Sequence, residues 1–65
     1  MLKIKLLSYP LNIDQVDEIL LFMIYHRIED IPHLMKCQKV QLMKLEGYGD
    51  SIEEIIRIIR QNHQD

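Results

Sequence analysis

The sequence has a single cysteine, two glycines, two prolines and no tryptophan among its 65 residues. One cysteine excludes an internal disulfide, and a lone thiol is more common in a reducing compartment than in a small secreted protein. We therefore expect a cytoplasmic location. The chain also lacks an apolar run of roughly 20 residues, so no membrane-spanning helix is expected. The apolar patch near its start is too short for a signal peptide.

Excess positive charge is also missing, because the net charge is −2 and the sequence pI is about 5.8. This balance disfavours nucleic-acid binding through bulk attraction to phosphates. The charges are unevenly placed: acids dominate residues 12–31, whereas residues 32–45 contain three lysines and no acid. Two explanations stay open. The two segments lie antiparallel and offset each other's charge, or the lysines form a basic surface for an acidic partner.

What the chain does have is apolar material, which makes up 48% of its residues. Start and stop signals predict one domain, residues 1–65, with three helices at about 12–28, 31–46 and 51–62. The signals are an N-cap Asn12 with Gln15, a cap at Asp30 with Pro32 in the first turn, a left-handed Gly47, and a capping box from Ser51 and Glu54 or from Asp50 and Glu53.

Residues 1–7 show a different pattern, in which Leu2, Ile4 and Leu6 alternate with Lys3 and Lys5. This period of two predicts a short, half-buried N-terminal strand. A single strand needs a partner, so it would pair with a second strand or with its twin in a dimer. The expected fold class is all-α, a small three-helix domain with a short N-terminal extended segment, in dimeric form.

Seven consecutive apolar residues, Ile19–Tyr25, are the most informative feature. On a helix, successive side chains point about 100° apart, so these residues surround the helix on all sides. A chain this short can hardly cover them alone, and association with a second copy would do so. The predicted dimer interface is the main stripe of the first long helix: Val16, Ile19, Leu20, Met23 and Ile24.

Residues suited to catalysis or metal binding are few. His33 and Cys37 are four apart, but a zinc site usually takes three or four ligands, so no metal and no cofactor are expected. Cys37 or Ser51 as a nucleophile would need a base in a pocket, and three short helices seldom enclose one. Consecutive carboxylates on a helix diverge, so they form no acid–base pair. We therefore expect a protein that is not an enzyme.

These observations predict a small regulatory or adaptor protein that acts by protein–protein binding as a homodimer, of the kind that phages, plasmids and bacterial regulatory operons encode. Its predicted partner-binding surface, the lysine face, consists of Lys36, Lys39, Val40, Met43 and Lys44. The alternative is a dimeric DNA-binding regulator in which the N-terminal strand carries Lys3 and Lys5 into the major groove, as in a ribbon-helix-helix pattern. A weaker alternative is an oligomerisation module.

Overall fold

A computed structural model describes residues 1–63 of the chain, which form five α-helices. In chain order these are α1 (Leu2–Leu7), α2 (Ile13–Tyr25), α3 (Ile31–Lys36), α4 (Lys39–Leu42) and α5 (Asp50–Asn62). Helix accounts for 67% of this part of the chain, which contains no strand. The all-α prediction is therefore confirmed.

The predicted N-terminal strand is wrong, because residues 2–7 form helix α1. No second strand is available among residues 1–63 to pair with it, and a helix satisfies its backbone hydrogen bonds internally. Helix α1 packs along α2 and buries Leu6 completely. Its Lys3 ammonium lies 3.6 Å from the Asp17 carboxylate of α2. Five alternating residues were too short a pattern to distinguish the two structures.

Helix α2 begins as the sequence predicts and ends three residues early. The Gln15 amide donates to Asn12 Oδ1 at 2.8 Å, and the Asn12 amide donates to Gln15 Oε1 at 3.0 Å, which confirms the capping box. At the other end Arg27 has a φ of 58°. The Ile28 amide donates to the Met23 carbonyl at 2.8 Å, and the Arg27 amide donates to the Ile24 carbonyl at 3.2 Å. These two bonds form a Schellman motif.

The single helix predicted over residues 31–46 is wrong, because the chain breaks into α3 and α4. The backbone is extended at Cys37 and Gln38, with ψ values of 132° and 147°. The Arg60 guanidinium of α5 donates to the carbonyls of Met35 and Cys37 at 3.2 and 2.9 Å. This contact satisfies carbonyls at the end of α3 that a continuing helix would have paired. Asp30 caps α3, as predicted, by accepting from the His33 amide at 2.8 Å.

Helix α5 starts at Asp50 with Gly49 as its N-cap, and no side chain caps it. The predicted capping boxes are therefore wrong. Instead, Ser51 Oγ donates to Glu18 Oε1 of α2 at 2.7 Å, which joins the two helices. The α5 isoleucines at the i, i+3, i+4 and i+7 positions, a spacing that places them on one helix face, are all buried: Ile52, Ile55, Ile56 and Ile59.

One cluster of thirteen buried apolar residues forms the core, and no polar or charged residue of the described chain is buried. Helices α2 and α5 supply most of it. The members are Leu6, Val16, Ile19, Phe22, Met23, Ile28, Ile31, Leu34, Leu42, Ile52, Ile55, Ile56 and Ile59.

Candidate protein-interaction surfaces

The five residues predicted for the dimer interface divide into two groups. Val16, Ile19 and Met23 have no exposed surface, because they lie in the core of the single chain. They offer nothing for a second copy to contact. Leu20 is partly buried and Ile24 is exposed, so these two stay accessible. The sequence placed all five on one stripe but did not show that α1 and α5 would cover most of it.

Helix α2 keeps an apolar face that the rest of the chain leaves uncovered. Leu21, Ile24 and Tyr25 are 67%, 62% and 68% exposed. Their spacing of i, i+3 and i+4 places them side by side on the helix surface. The run Ile19–Tyr25 is therefore not fully sheltered within one chain, although Ile19, Phe22 and Met23 are buried and Leu20 is partly buried. Isolated exposed apolar residues are ordinary, but three neighbours on one helix face form a patch.

Beside this face lies a shallow cavity of about 460 Å³, which we call the α2 groove. Helix α2 supplies one wall, and the turn before α5 together with the start of α5 supplies the other. The lining residues are Glu18, Leu21, Phe22, Ile24, Tyr25, His26, Glu46, Gly47 and Ile52. Its size falls within the range of about 300–1,000 Å³ that is typical of binding pockets, and its lining is mainly apolar.

Phe22 and His26 fix the shape of the α2 groove. The sequence pattern leaves Phe22 apart from the apolar stripes, yet its ring is buried and packs edge-on against His26, with ring centroids 4.7 Å apart. His26 Nε2 donates to the Glu46 carbonyl at 2.7 Å, which joins the end of α2 to the turn before α5. Gly47 has a φ of 93°, which confirms its predicted left-handed conformation. A β-carbon at Gly47 would lie 3.7 Å from the Phe22 ring.

Acidic side chains border the groove. Glu18 and Glu46 are exposed members of its lining, and Glu18 also accepts the hydrogen bond from Ser51. Asp14 and Asp17 lie further along α2, where Asp17 pairs with Lys3. Within residues 12–31 the one lysine or arginine is Arg27, which is exposed in the left-handed conformation just after the C-terminal end of α2. The groove is thus an apolar surface with a negative border.

The lysine face is exposed throughout, although its helix is interrupted. Lys36 ends α3, Lys39 and Val40 lie in α4, and Met43 and Lys44 follow it. Val40 and Met43 are 56% and 57% exposed. These two apolar side chains lie among cations and are three residues apart on one turn, so they form a basic, partly apolar surface.

An ion pair joins the lysine face to α5. The Lys39 ammonium lies 3.5 Å from the Glu53 carboxylate, and Glu53 also accepts a hydrogen bond from the Tyr48 hydroxyl at 3.1 Å. Burial, followed by the hydrogen bond to Glu53 and the negative charges of Glu53 and Asp50, raises the pKa of Tyr48. Glu53 and Arg57 have the i, i+4 spacing of a helical ion pair, but Arg57 pairs with Glu54 instead. The hydrogen bond from Arg57 to Glu54 raises the pKa of Arg57.

The residues considered for metal binding or catalysis have other partners. The Cys37 thiol donates to the His33 carbonyl at 3.4 Å, while His33 Nδ1 accepts from the Glu29 amide at 3.2 Å. His63 Nδ1 lies 3.2 Å from the Tyr9 hydroxyl. Within residues 1–63, no group of three or more His, Cys, Asp or Glu side chains is placed to hold a metal ion.

Lys3 and Lys5, the predicted DNA-reading residues, lie on helix α1 rather than on a strand. The ribbon-helix-helix arrangement requires strands from two copies, so its structural basis is absent from the described chain. Lys3 is, in addition, turned toward an acidic partner in α2.

Comparison with known proteins gives no match to a protein-family model, a curated protein or a solved structure. In the described part of the chain, the longest helices have 13 residues, and none is long and apolar enough to cross a lipid bilayer.

Proposed function

We propose that this chain is a small, non-enzymatic regulatory or adaptor protein that acts by protein–protein binding, as a homodimer. The observation that carries the proposal is the α2 groove with its uncovered apolar face, Leu21, Ile24 and Tyr25. Contacts between proteins draw most of their free energy from a few apolar and aromatic anchors that become buried in well-packed pockets. Tyr25 is an exposed aromatic residue of this kind, and it lines the groove together with Phe22.

The lysine face is the second surface in this proposal. Its cations and its exposed Val40 and Met43 suit a partner that combines acidic and apolar groups. It lies outside the α2 groove, because neither Val40 nor Met43 lines that cavity. Two surfaces of opposite charge allow the chain to bind a second copy of itself or another protein. The cytoplasmic location stays a prediction from the lone cysteine.

Photo-crosslinking tests this proposed function. A photoreactive phenylalanine analogue replaces Tyr25 at the groove, and in a control chain it replaces Gln61, an exposed residue near the end of α5. Both chains are irradiated in an extract of the native cell. We expect discrete crosslinked species from position 25, and we expect a Leu21→Ser substitution to remove them. Identical products from the two positions, or products that are insensitive to Leu21→Ser, would contradict a binding role for the groove.

A further inference from the structure

We propose that the occupant of the α2 groove is a second copy of this chain, which inserts Val40 and Met43 of its lysine face into the groove. The contact is reciprocal, so each copy supplies one groove and one lysine face. This inference rests on the proposed function, since it requires the groove to be a protein-binding surface.

The two surfaces match in chemistry. The groove presents Leu21, Ile24 and Tyr25 with Glu18 and Glu46 at its border. The lysine face presents two exposed apolar side chains with lysines on either side of them, Lys44 and Lys39, of which Lys39 also pairs with Glu53 of its own chain. Apolar groups therefore meet apolar groups, and ammonium groups meet carboxylates. Complementary charge of this kind fixes the register of a contact and raises the association rate.

The two surfaces also adjoin each other in the chain. Met43 belongs to the lysine face, and Glu46, three residues later, lines the groove. Three residues span at most about 10–11 Å, so the edges of the two surfaces lie close together. A two-fold axis near this edge would bring each lysine face to the groove of the other copy. Such an isologous contact closes on itself and produces a dimer rather than a filament.

Charge argues against the simpler dimer in which the exposed faces of two α2 helices meet directly. Asp14, Asp17 and Glu18 are exposed along α2, and the ion pair of Asp17 with Lys3 offsets one of these three acids. A parallel pair of α2 helices would bring acid against acid, and like charges face to face disfavour association. An antiparallel pair would place these acids opposite the end of the other helix, where Arg27 is the one lysine or arginine. Arg27 and His26 lie at the far end of the helix, and His26 is already bonded to the Glu46 carbonyl. The lysine face supplies the missing positive charge.

Surface variants test which residues form the contact. Sedimentation velocity over a concentration series compares the natural chain with Leu21→Ser in the groove, Met43→Ser in the lysine face and Ile4→Ser as the control. Ile4 is an equally exposed apolar residue of α1 that belongs to neither surface. We expect the natural chain and Ile4→Ser to dimerise alike, and the other two to raise the dissociation constant by at least about tenfold. Circular dichroism confirms that each variant is folded, and Ile24→Ser replaces Leu21→Ser if the latter unfolds.

A charge-reversal pair tests the reciprocal geometry. Lys44→Glu alone and Glu46→Lys alone should each weaken dimerisation, because like charges then meet twice in the dimer. In an equimolar mixture, the two variants should form a one-to-one heterodimer, because every contact again joins opposite charges. This rescue would not occur if α2 simply packed against α2.

The outcomes separate this inference from the proposed function. A monomeric natural chain at all concentrations, or dimerisation that depends on Leu21 but not on Met43, overturns the inference. Failure of the mixed charge variants to form a heterodimer overturns it too. If a monomeric chain still gives crosslinks from position 25 to a foreign protein, the groove binds another partner: the protein-binding part of the proposed function stands, and its homodimer does not.

Discussion

Ser51 Oγ donates a hydrogen bond of 2.7 Å to Glu18 Oε1, although 33 residues separate the two in the chain. A serine that resembles a helix cap in the sequence therefore joins α5 to α2 at the border of the α2 groove. Removing it with Ser51→Ala should cost about 0.5–1 kcal/mol of unfolding free energy, a modest value because both side chains are exposed.

A double-mutant cycle in urea denaturation assigns this hydrogen bond to its acceptor. Ser51→Ala and Glu18→Ala should be non-additive, because each removes the same contact. Ser51→Ala and Glu54→Ala should be additive, since Ser51 does not bond to the partner that a capping box would require. If Ser51→Ala were additive with Glu18→Ala and non-additive with Glu54→Ala, Ser51 would instead belong to a capping box with Glu54.

Met23 and Ile24 are neighbours in sequence and opposite in environment. Met23→Asp should unfold the chain, because it places a charge in the core and the predicted cost exceeds about 4 kcal/mol, close to the whole stability of so small a domain. Ile24→Asp should cost less than about 1 kcal/mol, because the side chain already contacts solvent. Circular dichroism at low protein concentration measures the loss of stability in both variants without a contribution from association. If Ile24→Asp lost as much stability as Met23→Asp, Ile24 would be buried, and the exposed apolar face of α2 would be contradicted.

Gly47 and Gly49 provide a matched pair with the same substitution. Gly47→Ser should destabilise the chain by about 1–3 kcal/mol, because φ is 93° and a side chain there is strained. The nearest atom to a β-carbon, on Phe22, lies at an ordinary contact distance of 3.7 Å, so the backbone rather than a clash is the cause. Gly49→Ser should be neutral or slightly stabilising, since the backbone there is extended and serine is a good N-cap. Thermal denaturation of both variants would show equal effects if the φ value of Gly47 did not matter.

Arg27 holds the left-handed position that ends α2, where glycine is usual. Arg27→Gly should therefore stabilise the chain by about 0.5–1 kcal/mol, because glycine has no penalty in this conformation. Arg27→Ala, which removes the same side chain but keeps the β-carbon, should give no such gain. Urea denaturation of the two variants separates backbone strain from loss of charge.

Tyr48 should make stability depend on alkaline pH. Its pKa lies above the ordinary value of 10.0 in the folded chain, so folding favours the protonated phenol. This contribution is complete below the unfolded pKa and is lost as pH rises through the higher folded pKa. Tyr48→Phe should therefore approach the natural chain in stability above pH 10. Glu53→Gln should reduce the pH dependence without abolishing it, since burial, the largest single cause, remains. Parallel stability profiles for the natural chain and Tyr48→Phe between neutral and alkaline pH would contradict this assignment.

Local signals predicted much of the fold. Asn12 with Gln15, Asp30 with Pro32, and Gly47 each act within a few residues, and the structure contains all three features. The buried isoleucine stripe of α5 likewise follows from helical periodicity alone. These features need no knowledge of what lies elsewhere in the chain.

Errors arose where distant contacts decided the structure. The break between α3 and α4 depends on Arg60, more than twenty residues away, and the start of α5 involves Glu18 on another helix. Residues 2–7 were too few for their alternation to exclude a helix. For the site, the apolar surplus of α2 was visible in the sequence. The side chains that stay exposed could not be identified, because that depends on how α1 and α5 pack against this helix.

The pair of bonds from Arg60 to the end of α3 has a consequence for the basic surface that follows it. A single guanidinium from the last helix anchors the chain where it changes direction. Together with the buried Leu42 and the ion pair of Lys39 with Glu53, this remote residue holds the orientation of the short fourth helix. Displacing that anchor would shift Lys39 and Lys44 relative to Lys36 without altering any of the three.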